Sequence, residues 1–149
     1  MLYRYEVDGP QFAGHIGFIG AIMEVLSDRD AVNDAIDACT AFNEDLPVPP
    51  NPFFDADGKS IDGECLCFFT EAGEIHFHDA IMDLVNVYKG QNVSIRTLVI
   101  DETTLDYKDV VYHDEYQMVI CLHNQVYGEP STLNMHILHI DEHANQQPS

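Results

Sequence analysis

Hydrophobic and polar positions alternate over Leu2-Tyr-Arg-Tyr-Glu-Val7, which predicts a strand, and Asp8-Gly-Pro10 stops it. The period then lengthens. Phe12, Ile16, Ile19, Met23 and Leu26 recur at helical spacing and predict a helix over about 11–26. Gly14, Gly17 and Gly20 fall on its other side with Ala13 and Ala21. Each glycine costs a helix roughly 1 kcal/mol relative to alanine, a cost that a closely approaching backbone would offset. Ser27 or Asp28 caps a second helix, predicted over about 29–43, with Val32, Ala35, Ile36, Cys39 and Phe42 on its apolar side. Leu46-Pro-Val-Pro-Pro-Asn-Pro52 ends that helix and opens a loop.

Beyond the loop, 65–70 reads as a strand and 74–78 as its hairpin partner. Asp79 then caps a helix over 80–89 that Gly90 closes. Further strands are predicted at about 93–100, 108–112, 116–122 and 133–140, with a short turn at His113-Asp-Glu115 and a frayed tail at 144–149. The sum is a single α+β domain over 1–143. It has a largely antiparallel sheet of about six or seven strands, with about three helices packed on one face.

Charge changes this ordinary picture. The 149 residues hold 26 Asp and Glu against 6 Lys and Arg, a formal net charge of −20. Such self-repulsion costs stability and is compatible with a basic partner, a high-salt interior or simple solubility. It opposes direct contact with nucleic acid or an anionic membrane surface. The N-terminal residues lack the apolar stretch of a signal peptide, so a cytoplasmic location with reduced thiols is expected for the four cysteines.

Carboxylates concentrate in two places. Asp30, Asp34 and Asp37 line the polar side of the second helix at steps of four and three, continuing to Glu44 and Asp45. Like charges at this spacing repel, and no Lys or Arg interleaves them. The second group is Asp101, Glu102, Asp106, Asp109, Asp114 and Glu115, interleaved by Tyr107, Tyr112 and Tyr116, a residue type favoured as an interface anchor. These fourteen residues are the candidate partner-binding set. In composition, though in no motif, the chain resembles small phage or plasmid inhibitors of restriction or CRISPR nucleases and immunity proteins for nuclease toxins. The resemblance implies an acidic, non-enzymatic binding protein that occupies the nucleic-acid site of a basic partner.

The stretch Cys65-Leu-Cys67 … His76-Phe-His78 raises a metal site as the alternative. Zinc takes four Cys or His ligands in a tetrahedron. A three-residue Glu71-Ala72-Gly73 loop would pair Phe68 with His76 and put cysteines and histidines on opposite faces, whereas a two-residue loop would put all four on one face. His76, His78, Asp83 and Gly90 resemble the metal motif of the cupin family over 76–90, but the family has Glu where this chain has Asp83 and needs strand where 79–89 is expected to be helical. Asp55, Asp57 and Asp62 fall short of a calcium loop, since the twelfth position is Leu66. Neither a nucleophile elbow nor a phosphate loop occurs. No catalytic residue, metal or cofactor is therefore assigned.

Overall fold

The structure, a computed structural model, describes residues 1–9, 14–48, 63–105, 109–123 and 137–143. It is an α+β fold built on a seven-stranded antiparallel sheet. The elements run β1 (Leu2–Gly9), β2 (Gly14–Gly17), α1 (Ile22–Val25), α2 (Arg29–Ala38), α3 (Thr40–Asp45), β3 (Gly63–Phe69), α4 (Glu71–His76), α5 (His78–Gly90), β4 (Ile95–Ile100), β5 (Val110–His113), β6 (Gln117–His123) and β7 (Ile137–His143). A single 3-10 turn, Glu102–Thr104, follows β4. The sheet order is β5-β6-β3-β1-β4-β7, and β2 pairs with β1.

β1 is the axis of the sheet. β4 runs along one side of it, from Leu2 opposite Ile100 to Val7 opposite Ile95. On the other side β1 changes partner: Tyr3 lies opposite Phe69 of β3, and Glu6 to Gly9 lie opposite Gly17 to Gly14 of β2. Strand alternation then sorts two cores. Tyr5, Val7, Phe69 and Ile95 face the helices, where Phe18, Ala35, Phe42, Phe77, Ile81, Leu84 and Tyr88 cover them. Leu2, Leu66, Phe68, Leu98, Ile100 and Ile120 form a separate buried cluster on the opposite face. Among the described residues, no helix is long and apolar enough to cross a membrane.

Two expected elements are replaced. The helix over 11–26 does not form in its described part; residues 14–17 are strand β2, and only Ile22–Val25 is helical. Ile19 and Met23, placed on the buried side of that helix, are 38% and 72% exposed, and Phe18, Ala21 and Ile22 are buried instead. The helical spacing lost to a neighbouring strand edge. Glycines weaken a helix there, β2 pairs with β1 instead, and at Gly17 the missing side chain leaves room for the Arg4 guanidinium, whose Nη2 would lie 3.3 Å from a Cβ.

The second replacement is at 74–78, where helices α4 and α5 stand in place of a hairpin strand. The partner of β3 is β6, with Cys65 opposite Cys121 and Cys67 opposite Val119. Thr70 explains the change. Its side chain caps α4 by accepting from the Gly73 amide at 3.1 Å, and its hydroxyl donates to the Glu115 carbonyl at 2.6 Å. Smaller corrections follow. Phe77, not Asp79, precedes α5, and the chain leaves that helix through Asn92 at φ 58° rather than through Gly90. The helix expected over 29–43 breaks at Cys39, and Ile36 is 50% exposed. The loop carrying Asp55, Asp57 and Asp62, the residues Asp106 and Tyr107, and the tail 144–149 lie outside the described residues.

Candidate functional site

Asp28 starts α2, its carboxylate accepting from the Ala31 amide at 3.1 Å. From that cap the helical period sends Ala31 and Ala35 inward, where both are buried, and leaves Asp30, Asp34 and Asp37 outside. The small inward residues let α2 lie close against α5. The two helices flank a groove of about 680 Å³. Its walls carry five carboxylates, from Asp28, Asp30, Asp34 and Asp37 of the α2 side and Asp83 of α5, with Asn86 and Gln91 between them. None of its lining residues is Lys or Arg. The row of three aspartates is exposed and forms one side of an open acidic groove.

The remaining members of the candidate set lie elsewhere. Glu44 and Asp45 are exposed on α3, and Asp45 meets His76 of α4 at 3.0 Å. That histidine stacks on Tyr116 with ring centres 4.6 Å apart, and Tyr116 meets Phe77 edge-on at 5.4 Å. Tyr116 is thus part of the fold's own packing. Asp114 ties the turn between β5 and β6. It accepts from the Tyr112 hydroxyl at 2.7 Å, the Tyr116 amide at 2.8 Å and the Gln117 side chain at 3.0 Å. Burial opposes its charge, but these donors outweigh that and hold its carboxyl below the usual range. Asp101 is occupied in the same way, accepting from the Thr103 hydroxyl and amide at 2.7 and 3.0 Å. Glu102 reaches the N-terminal ammonium at 3.8 Å, Asp109 is half-buried, and Glu115 is exposed. Asp101 and Asp114 therefore serve local turns, whereas the acids of α2 and α5 share an open groove.

The cysteines and histidines of the opening stretch do not converge on a hairpin, because His76 and His78 lie on helices and Cys67 on β3. Among the described residues, no three His, Cys, Asp or Glu side chains come together in a way that could hold a metal.

Packing also creates an ionic cluster with no counterpart in the sequence reading. Glu6 is 6% exposed in the middle of the sheet. Its Oε2 accepts from Arg4 Nε at 2.8 Å, and its Oε1 accepts from Arg96 Nη2 and Nε at 2.9 and 3.1 Å. Burial opposes the Glu6 charge, and the two guanidiniums more than offset it, so the carboxyl ionises below its ordinary range. Arg4 also donates to the Cys67 carbonyl at 3.2 Å, across the place where β1 changes partner. The signal available in sequence was partial. Arg4 and Glu6 share a face at strand spacing, but Arg96 arrives only through the β1–β4 register.

On the helical face, the buried Tyr5 hydroxyl donates to Glu74 at 2.6 Å. Burial pushes both groups upward, Tyr5 further because the Glu74 charge adds to it. His143 meets the Thr97 hydroxyl at 2.6 Å, and burial followed by nearby Lys89 lowers its pKa.

No known protein family, curated protein or solved structure matches this chain.

Proposed function

We propose that this protein is an acidic binding protein that occupies the nucleic-acid site of a basic partner protein and so inhibits or neutralises it. The observation that carries the reading is the open groove between α2 and α5, which five carboxylates line with no Lys or Arg among its lining residues. Carboxylates at steps of three and four on a helix stand about 5–6 Å apart, which approaches the spacing of phosphates along a strand. A basic cleft evolved for phosphates would meet a comparable row of negative charge, and the net charge of −20 would steer the encounter. The compositional likeness to nuclease inhibitors of phages and plasmids, and to toxin immunity proteins, points the same way.

The test is capture from a lysate of the source cell with the wild-type chain and with the Asp30→Asn/Asp34→Asn/Asp37→Asn variant. The wild type should retain a basic, nucleic-acid-binding protein that added duplex DNA displaces, with slower association as salt rises. The variant should retain at most about a tenth as much, the effect of losing roughly 1.4 kcal/mol of binding. Equal retention by the two proteins, or indifference to DNA, would refute the reading.

A further inference from the structure

β7 ends the sheet. It pairs with β4 along one side, and no strand among the described residues pairs with its other side. Sheet edges are commonly blunted by charged side chains, lysine above all, by proline, by bulges or by being very short. β7 has seven residues, Ile-Leu-His-Ile-Asp-Glu-His, with neither Lys nor Pro; its register against β4 shifts at Leu138, so the regular edge runs over His139 to His143. Leu138 and Ile140 are 49% and 42% exposed on it.

The order of charges along this edge is self-complementary. When two copies of a strand pair antiparallel about a two-fold axis normal to the sheet, opposed residues share a face, so the axis must pass through a residue. An axis at Asp141 sets that carboxylate against itself and Ile140 against Glu142. An axis at His139 would set Ile140 and Asp141 against Leu138 and Ile137, where the register shift interrupts the alternation. An axis at Ile140 places each His139 opposite Asp141 of the second copy, twice over, and Ile140 against itself, and confines its mismatch, Leu138 against Glu142, to the register shift. Within one chain His139 and Asp141 already approach to 3.5 Å, so the pairing would complete a four-membered acid–histidine cluster. Ile140 lies opposite Leu98, a member of the buried cluster on the helix-free face, so that core would continue across the axis.

We propose that β7 is a self-association edge, and that a second copy of this chain pairs antiparallel with it about a two-fold axis through Ile140. The surroundings suit it despite the overall charge. Arg96 lies opposite Glu142 on the neighbouring strand, and His139 and His143 flank the acids of β7 itself. Two chains at −20 still repel at long range. Self-association therefore tightens as salt rises, opposite in sign to the response expected of a basic partner.

Sedimentation of the full chain at about 100 µM, in roughly 0.15 M and 0.5 M salt, tests this. A dimer more populated at the higher salt is expected. His139→Asp should weaken it roughly tenfold by placing like charges across both pairs, and Ile140→Lys should weaken it comparably. The double exchange His139→Asp/Asp141→His returns an acid–histidine pair at both positions and should restore the dimer to within about threefold of wild type. All these positions are exposed, so circular dichroism should be unchanged; should His139→Asp not fold, Ile140→Lys alone decides. A single monomeric species at the higher salt, a folded single variant that dimerises like wild type, or a folded double exchange no better than His139→Asp would overturn the proposal.

Discussion

Replacing Glu6 by glutamine removes a buried negative charge from between two arginines. The carboxylate accepts three hydrogen bonds, at 2.8, 2.9 and 3.1 Å, with its side chain 8% exposed. Glutamine has one acceptor oxygen, so it can keep the partners of Oε1 or the partner of Oε2, not both. A lost hydrogen bond to a charged group costs about 1.5–3 kcal/mol. Two guanidiniums are also left facing each other without the charge that offset them, and removing one partner of a buried ion pair typically costs about 3–5 kcal/mol. Arg4 and Arg96 keep 13% and 24% side-chain exposure, and water reaching them moderates that figure. The expectation is a loss of about 2–4 kcal/mol at neutral pH. With a urea slope of about 2 kcal/mol/M, the midpoint should fall by roughly 1–2 M.

The pH dependence has a definite sign. The folded-state pKa of Glu6 is lowered from 4.5, so its contribution is complete above the unfolded value and disappears as pH falls through the folded one. The gap between wild type and Glu6→Gln should be constant near neutrality and close in acid below pH 4.5. Glu142→Gln is the control. Glu142 also lies opposite Arg96 but is exposed, and such pairs contribute about 0–1 kcal/mol. A loss under about 1 kcal/mol for Glu6→Gln, or a loss that persists in acid, would refute the argument.

Two further outcomes are expected. Gly73→Ala should destabilise by about 3 kcal/mol or more in urea melts, because a Cβ there would overlap the Tyr116 carbonyl oxygen, which backbone bonding holds in place through the Thr70 amide. Tyr5→Phe should cost about 1–2 kcal/mol at neutral pH by withdrawing the hydroxyl from Glu74. Burial raises the Glu74 pKa above 4.5, so its share of stability is complete below that value and is lost as pH rises through the folded one; without the Tyr5 hydrogen bond, which opposes the rise, the loss should extend to higher pH.

Much of the sheet was legible because alternation survives any context that keeps one face buried. β1, β3, β4, β5 and β6 lie within a few residues of where the pattern put them, and β7 runs from Ile137, inside the expected 133–140, to His143, three residues beyond it. The start of α2 was readable to one of two neighbours, Ser27 or Asp28, since a cap needs only a short polar side chain beside a free amide, and Asp28 is the one that caps. Failure came where local spacing fits two periods. Ile16, Ile19 and Met23 sit at helical steps, but β1 offered residues 14–17 a ladder. His76 and His78 alternate as in a strand, but Thr70 capped a helix whose first turn is fastened to the β5–β6 turn.

The site divides along the same line. Composition and helical period were enough to show that Asp30, Asp34 and Asp37 share a face, because those relations lie within one helix. That the face borders an open groove shared with Asp83 depends on α2 meeting α5 across some fifty residues of chain, which no local pattern encodes. The cluster of Arg4, Glu6 and Arg96 follows the same logic: strand spacing couples the first two, and only the β1–β4 register brings in the third. Periodicity determines which side of an element is polar. Close packing of distant elements decides what that side faces, and so whether a charge is solvated, paired or presented.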